Sequence, residues 1–272
     1  MTSARSGRLR GQMKKSGNII LIDVGNTSVT MGLWTGGRIA HRSRLQTAAC
    51  SAENIRRAVV KLAGRSQPDS AVYCSVVPSV NKRWLGELNR VVSGRTIVVT
   101  HKLKLGVKIR YPRPATIGAD RLADACAVAW RHGVPAIVAD FGTALTFDVI
   151  SADGAYVGGA IAPGLSLMTD YLYEKTALLP RLRRLHPYSG IGRSTEEAMR
   201  VGAVVGYRGL IRETVQYLMH AMGAKKVTLC ATGGNAAEAL RGLDMKFIIE
   251  PDLTLYGLYR IWELNEREEA MQ

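Results

Sequence analysis

The stretch Ile19-Ile20-Leu21-Ile22-Asp23-Val24-Gly25-Asn26-Thr27 decides the fold of this 272-residue sequence. Four aliphatic residues that favour β-structure lead to a carboxylate, and a glycine with small polar residues follows. This pattern predicts a strand that delivers Asp23 to a loop whose backbone N–H groups can turn toward an anion. Asp, Gly and Asn are also common turn formers, so this stretch alone leaves an ordinary turn equally open.

A second copy of the pattern occurs at Ala136-Ile137-Val138-Ala139-Asp140-Phe141-Gly142-Thr143-Ala144. A strand-like segment follows each copy. This self-similarity predicts two related halves that each begin with a strand, a turn and a second strand. Two acid-tipped turns that face each other across a cleft would suit a metal-bound polyphosphate. At a constant offset three pairs of residues coincide: Asp140 with Asp23, Gly142 with Gly25, and Thr143 with Asn26.

The composition indicates a globular protein with a substantial core, since 47% of the residues are hydrophobic. No apolar stretch approaches the roughly 20 residues that span a bilayer, so no membrane segment is expected. Residues 1–17 are predicted to form a flexible basic tail without a signal peptide, and Met13 is an alternative start. The four cysteines form no C-x-x-C pair and indicate neither disulfides nor zinc, so we expect a cytoplasmic protein.

The formal net charge of +15 limits the choice of partner. Positive charge can serve nucleic acid or attract anionic small molecules. The chain has only three Phe, no aromatic residues interleaved with its basic clusters, and no RNP-type motif. We therefore expect an anionic small-molecule substrate and no nucleic acid.

Apolar periodicity predicts the order βββαβαβ for the first half of the chain. Residues 101–117 are predicted to be irregular and basic. The second half should repeat the three opening strands, with helices from residues 165 and 194, a strand at 226–231 and a C-terminal helix from about residue 253. The expected division is a tail at 1–17, an N-terminal domain at 18–117 and a C-terminal domain at 118–272.

Four loops collect the unusual chemistry, at residues 23–27, 118–121, 140–143 and 232–234. They hold acids, small hydroxyls and glycines but no histidine, which disfavours a Ser–His–Asp nucleophile. The chain has no Walker A sequence, which excludes a P-loop fold. Oxygen ligands suit Mg²⁺ bound to substrate phosphates, so the loops favour phosphoryl transfer.

Asp120 lies in the first turn of a predicted helix, where the helix dipole favours a negative charge. From the local pattern alone, helix capping is a better explanation of this acid than catalysis. The dense glycines at 158–164 indicate close approach, either of a ligand or of a neighbouring backbone.

Seven motifs in order make the chain resemble the type III pantothenate kinase family of the acetate/sugar kinase, Hsp70 and actin superfamily. The likeness extends from about residue 19 to residue 262. The motifs are Asp-Val-Gly-Asn-Thr at 23–27, Ser-Val-Val-Pro at 75–78, Gly-Ala-Asp-Arg at 118–121, Asp-Phe-Gly-Thr-Ala at 140–144, Gly-Gly-Ala-Ile-Ala-Pro-Gly at 158–164, Ser-Thr-Glu-Glu-Ala-Met at 194–199 and Thr-Gly-Gly at 232–234.

The resemblance implies an α/β protein with a duplicated actin-like, ribonuclease H-like fold, in which two related domains surround a nucleotide cleft. It also implies ATP-dependent phosphorylation of pantothenate to 4'-phosphopantothenate, the first step of coenzyme A biosynthesis, by a homodimer. Under this resemblance Asp120 is the proton acceptor, and catalysis becomes its favoured role. Arg121 should then keep the Asp120 carboxylate ionised.

The resemblance further implies which residues bind each group. Mg²⁺ with ATP is expected at Asp23, and a monovalent cation, K⁺ or NH₄⁺, at Asp140. The ATP contacts are Asp23, Val24, Gly25, Asn26, Thr27, Ser28, Val29, Thr30 and Thr143. The pantothenate contacts are Tyr111, Gly118, Ala119, Asp120, Arg121 and Thr195.

Two alternatives remain open at this point. The chain could be a non-catalytic regulatory member of the family that binds DNA through its basic charge, or a kinase for another small hydroxyl compound. The intact acids Asp23, Asp120 and Asp140 argue for an enzyme.

Overall fold

A computed structural model of the chain describes residues 17–65, 67–182 and 190–269. The predicted basic tail therefore lies almost wholly outside the described residues, as does part of the segment between the helices predicted from residues 165 and 194. The strands are β1 (Ile19–Val24), β2 (Ser28–Thr35), β3 (Arg38–Gln46), β4 (Ser70–Ser75), β5 (Thr96–Val98), β6 (Lys108–Ile109), β7 (Ala136–Phe141), β8 (Ala144–Ile150), β9 (Ala155–Pro163), β10 (Thr228–Thr232) and β11 (Ile248–Ile249). The helices are α1 (Ala52–Ala63), α2 (Pro78–Val91), α3 (Ala119–Arg131), α4 (Leu165–Lys175), α5 (Thr195–Ala221), α6 (Ala236–Ala239) and α7 (Leu253–Glu269), with 3₁₀ turns at Thr47–Ala49 and Pro114–Thr116.

The strands form two sheets with the same plan. The first has the order β3-β2-β1-β4-β5, and the second has the order β11-β10-β7-β8-β9-β6. In each sheet two antiparallel pairings join the three opening strands, and a parallel strand lies on the other side of the first one. The predicted duplicated α/β architecture is therefore confirmed, and β6 is an additional edge strand of the second sheet.

The structure differs from the prediction in the segment 101–117. Residues 108–109 form β6, which pairs in parallel with the start of β9. Two residues are too few for a periodic signal, and the pairing depends on a strand more than 40 positions away along the chain. The division into domains at residue 117 stays a prediction.

Local signals fix where the helices begin. The N–H of Asn54 donates to Ser51 Oγ (3.1 Å) at the start of α1, and that of Glu197 donates to Ser194 Oγ (3.2 Å) at the start of α5. Pro78 opens α2, where its missing N–H costs no hydrogen bond.

Helices α3 and α7 pack together in a core that also takes side chains from both sheets. A β-carbon on Gly257 would lie 1.9 Å from the carbonyl oxygen of Ala123, so this close crossing requires glycine. Trp34 of β2 stacks on Tyr259 of α7, with the ring centroids 3.6 Å apart. The C-terminal helix therefore holds the first sheet against α3, whose first turn carries Asp120. No described helix is long and apolar enough to cross a membrane.

Replacing Trp34 with Ala should lower the free energy of unfolding by about 3–5 kcal/mol, because it leaves a cavity between β2 and α7. Chemical denaturation followed by circular dichroism measures the change. Val60→Ala on α1, where the side chain is half exposed, is the control and should change stability by less than about 0.5 kcal/mol. Equal effects of the two substitutions would contradict the role assigned to Trp34.

Candidate active site

The two acid-tipped turns meet in the structure. The turn between β1 and β2 contains residues 25–27, and the turn between β7 and β8 contains only residues 142–143. Because the second turn is one residue shorter, Thr143 does not take the place of Asn26 that a constant offset gives it. Its hydroxyl lies 2.8 Å from that of Thr27 instead, and this hydrogen bond joins the two turns.

A cleft of about 530 Å³ opens beside these turns. The loop after β10, at residues 232–234, forms another wall, and Arg44 of β3 lies at the same cleft with its Nε donating to Ser28 Oγ (2.9 Å). Nine of the residues predicted to bind ATP, metal or substrate line it: Asp23, Gly25, Asn26, Thr27, Ser28, Thr30, Asp120, Asp140 and Thr143.

Val24 and Val29 lie elsewhere. Both side chains are fully buried in the core of the first sheet, and the two residues pair with each other across the β1–β2 hairpin. Their side chains pack in the core at the base of the turn at residues 25–27 and do not reach the cleft.

Gly233 allows the third loop to reach the second acid. Its φ of +89° is a conformation that side chains disfavour, and a β-carbon there would lie 2.4 Å from Asp140 Oδ1. The glycine turn at 232–234 therefore packs directly on Asp140. This close approach explains the glycine at position 233 of the Thr-Gly-Gly sequence.

The acids at the cleft repel one another. Burial, together with the charges of Asp120 and Asp140, raises the pKa of Asp23 to about 8. Burial, together with the charges of Asp120 and Asp148, raises the pKa of Asp140 to about 7. These carboxylates can all ionise near neutral pH only when cations offset their charge.

The donor set fits a cation that arrives with phosphates. Among the described residues, no three His, Cys, Asp or Glu side chains converge to hold a metal ion by themselves. Mg²⁺ commonly takes one or two carboxylates and completes its shell with substrate phosphates and water. Asp23 and Asp140, each at the end of the first strand of its half, are suitably placed for such ligands.

Asp120 is not the residue that caps α3, because Gly118 holds that position. The Asp120 carboxylate accepts the N–H of Arg121 (2.8 Å). Its pKa is raised because burial outweighs this hydrogen bond and the Arg121 charge. Arg121 does lower the pKa of Asp120, as expected, but burial has the larger effect and the net shift is upward. A raised pKa brings the carboxylate closer to neutral pH, which suits a general base.

The residues predicted to bind substrate form two groups. Gly118, Ala119, Asp120 and Arg121 start α3, and Arg121 lies against β9, where a β-carbon on Gly159 would be 3.3 Å from its Nη2. Tyr111 lies against Gly158 in the same way, at 3.4 Å. Thr195 is apart from them: it is exposed at the start of α5 and lines a separate cavity of about 980 Å³ between α4 and α5.

The sequence prediction missed Asp148, which pairs with Arg121, and Tyr156, which contacts Asp148. The guanidinium donates from Nε to Asp148 Oδ1 (2.7 Å), and the Tyr156 hydroxyl donates to the same oxygen (2.9 Å). The available signal was an acid inside the apolar strand segment 145–150. A buried charge needs a partner, but the sequence does not say which one.

The raised pKa values predict how stability depends on pH. Asp140 has a pKa of about 7 in the fold against an ordinary value of 3.8, so between these values the folded protein binds more protons than the unfolded chain. Stability from this group is therefore complete at low pH and is lost as the pH rises through 7. Asp140→Asn should gain stability relative to the wild type from about pH 4 to pH 7, as measured by urea denaturation without divalent cations.

The matched control for this titration is Asp153→Asn. The Asp153 carboxylate accepts a hydrogen bond from Ser151, which lowers its pKa, so its contribution is lost only at still lower pH. Its stability relative to the wild type should stay constant between pH 5 and pH 7. A constant difference for Asp140→Asn over the same range would contradict the assigned pKa shift.

Comparison with known proteins identifies a family. The family model described as type III pantothenate kinase matches residues 19–217. A type III pantothenate kinase from Methylacidiphilum infernorum is 40% identical over 247 residues, which cover 90% of this chain and 88% of the relative. One from Akkermansia muciniphila is 47% identical over 190 residues, which cover 70% of this chain and 76% of the relative.

Solved structures share the fold at low sequence identity. A protein from Campylobacter jejuni assigned to the Baf family of transcriptional activators has a TM-score of 0.61 and 18% identity, and covers 91% of this chain and 99% of its own. Ethanolamine utilization protein EutJ from Carboxydothermus hydrogenoformans has a TM-score of 0.52 and 13% identity, and covers 92% of each chain. With a family model over residues 19–217 and relatives at 40–47% identity, the chain belongs to the type III pantothenate kinase family.

Proposed function

We propose that this protein transfers a phosphoryl group from ATP to the primary hydroxyl of pantothenate, which gives 4'-phosphopantothenate and begins coenzyme A biosynthesis. The observation that carries the proposal is the position of Asp120. It lines the cleft beside the two acid-tipped turns and lies in the first turn of α3. The next residue, Arg121, is one of the predicted substrate contacts.

The nucleotide would lie in the 530 Å³ cleft. Its phosphates would lie between the turns at 25–27 and 142–143, which are joined by the Thr27 and Thr143 hydroxyls. Asp23 would hold Mg²⁺ and Asp140 a monovalent cation. These cations would neutralise charge on the phosphates, which is the main requirement of phosphoryl transfer.

Asp120 would accept the proton of the attacking hydroxyl. Its carboxylate is fixed by the N–H of Arg121, and it is shielded enough for its pKa to be raised. The transition state of phosphoryl transfer is loose, so positioning of the hydroxyl by this group should matter more than base strength.

The test of this function is pantothenate-dependent release of ADP from Mg-ATP, which should be faster with K⁺ than with Na⁺. Asp120→Asn should lower kcat by about 100-fold or more, since the amide cannot accept the proton. Binding of the nucleotide should persist in this variant and serves as the control for an intact cleft. Absence of pantothenate-dependent turnover by the wild type, across cations and pH values, would overturn the proposal.

The alternatives predict different results in the same assays. A kinase for another hydroxyl compound would release ADP with a different acceptor from a substrate panel. A regulatory member would bind DNA in a salt-sensitive manner without turnover. The likeness to the Campylobacter jejuni protein, at 18% identity, concerns the fold and gives the regulatory alternative no support.

We also propose that the protein works as a homodimer in the cytoplasm. Helix α4 exposes a set of large apolar side chains beside the cavity that it shares with α5, and such a patch marks an interaction surface. A second copy seated there would lie next to Thr195, which the fold of one chain leaves apart from Asp120. The exposed apolar side chains of α4 are Leu167, Tyr171, Leu172 and Tyr173.

The cytoplasm is proposed because all four cysteines are free and buried, which fits a reducing compartment.

Leu172→Glu should convert the dimer to a monomer, because it puts a charge into the centre of the apolar patch. Sedimentation equilibrium measures the mass, which should fall from twice the chain mass to the chain mass. Val60→Glu, which adds the same charge at a half-exposed site on α1, should leave the dimer unchanged. A wild-type protein that sediments as a monomer at micromolar concentration would contradict this assignment.

A further inference from the structure

Asp148 is a buried carboxylate in the middle of an apolar strand. It lies on β8 between Phe147 and Val149, and its surface is fully buried (0% exposed). Both of its hydrogen bonds use Oδ1, which accepts from Arg121 Nε at 2.7 Å and from the Tyr156 hydroxyl at 2.9 Å. Oδ2 has no hydrogen-bond partner among the described residues. Only one of the two carboxylate oxygens of Asp148 therefore has hydrogen-bond partners among the described residues.

Stability alone does not explain such a pair. Removing a carboxylate and a guanidinium from water has a large free-energy cost, and well-packed apolar residues often stabilise a core as well or better. What a buried ion pair does provide is a fixed orientation of the guanidinium, which is planar and donates its hydrogen bonds in a fork geometry.

Several contacts fix the orientation of the Arg121 guanidinium. Its side chain is only 14% exposed, and Nη2 approaches the carbonyl oxygen of Phe147 at 3.4 Å. Gly159 packs on the same carbonyl group, because a β-carbon there would lie 1.6 Å from the Phe147 oxygen and 3.3 Å from Nη2. With Nε and Nη2 engaged, no hydrogen bond within the described residues involves Nη1, so this nitrogen remains as a donor for a ligand.

The backbone of the same residue is tied to the proposed base. The N–H of Arg121 donates to Asp120 Oδ1 at 2.8 Å, so Arg121 contacts Asp120 through its main chain and Asp148 through its side chain. Any rotation of the guanidinium would change the position of its Nη1 relative to the carboxylate that accepts the proton.

We propose that Asp148 is a positioning residue of this site, which acts through Arg121 by fixing the guanidinium so that Nη1 faces an oxygen of the bound acceptor beside Asp120. The inference rests on the proposed function, because the acceptor is taken to be pantothenate. Asp148 itself contacts neither substrate nor nucleotide in this assignment. It is absent from the residues that line the nucleotide cleft.

Kinetics of four proteins test the proposal: the wild type, Asp148→Asn, Arg121→Lys and the double variant. Asp148→Asn removes the charge but keeps the shape, and it should raise KM for pantothenate about 10- to 100-fold, the worth of one hydrogen bond to a charged group. KM for ATP should change less than about twofold. In the Arg121→Lys background, Asp148→Asn should add little, because residues that act as a unit are not additive.

Tyr156→Phe is the matched control. It removes the other hydrogen bond to Asp148 Oδ1 but leaves the ion pair, so KM for pantothenate should stay within about threefold of the wild type. Thermal melts of every variant identify loss of folding. The proposal would be overturned if Asp148→Asn raised KM for pantothenate and KM for ATP alike. It would also be overturned if Asp148→Asn raised KM for pantothenate by the same factor in the Arg121→Lys background as in the wild type.

A readout without turnover separates this inference from the proposed function. Phenylglyoxal modifies free guanidinium groups, and peptide mass spectrometry measures its rate at Arg121 with Arg131, which pairs with Glu250, as the internal standard. Asp148→Asn should raise the rate at Arg121 several-fold relative to Arg131. An unchanged rate would reject the positioning role even in an active enzyme, whereas a raised rate in a protein that ignores pantothenate would reject only the proposed acceptor.

Discussion

Burial of three carboxylates in one cleft is the constraint on which the rest of this structure depends. Asp23, Asp120 and Asp140 share one cleft, and burial with mutual repulsion raises the pKa of the first and last to about 8 and about 7. Such a cluster is unfavourable when nothing offsets its charge. Under the proposed function, the cations that accompany the nucleotide would offset it.

The fold assembles this cluster by repetition and by a shared core. Each half delivers one acid at the end of its first strand, and the Thr27–Thr143 hydrogen bond joins the two turns. Helices α3 and α7 fill the space between the sheets, so Asp120 is held in place by packing that involves both halves. Movement of one sheet relative to the other would disturb all three acids together.

The sequence predicted what local patterns determine. The acid-tipped repeat predicted both hairpins, and apolar periodicity predicted the helices of the first half. Features that depend on distant partners were missed: the pairing of β6 with β9, and the contact of Asp148 with a residue 27 positions away. The effect of Arg121 on the pKa of Asp120 was predicted, but the larger effect of burial was missed because burial is a property of the folded chain.

Proton release on nucleotide binding tests the charge argument most directly. Calorimetric titration of the wild type with Mg²⁺ and a non-hydrolysable ATP analogue, at pH 7 in two buffers of different ionisation enthalpy, gives the number of protons exchanged. Carboxylates with a raised pKa are partly protonated before binding, so the account predicts net release of protons to the buffer. Equal binding heats in the two buffers, or net proton uptake, would contradict it.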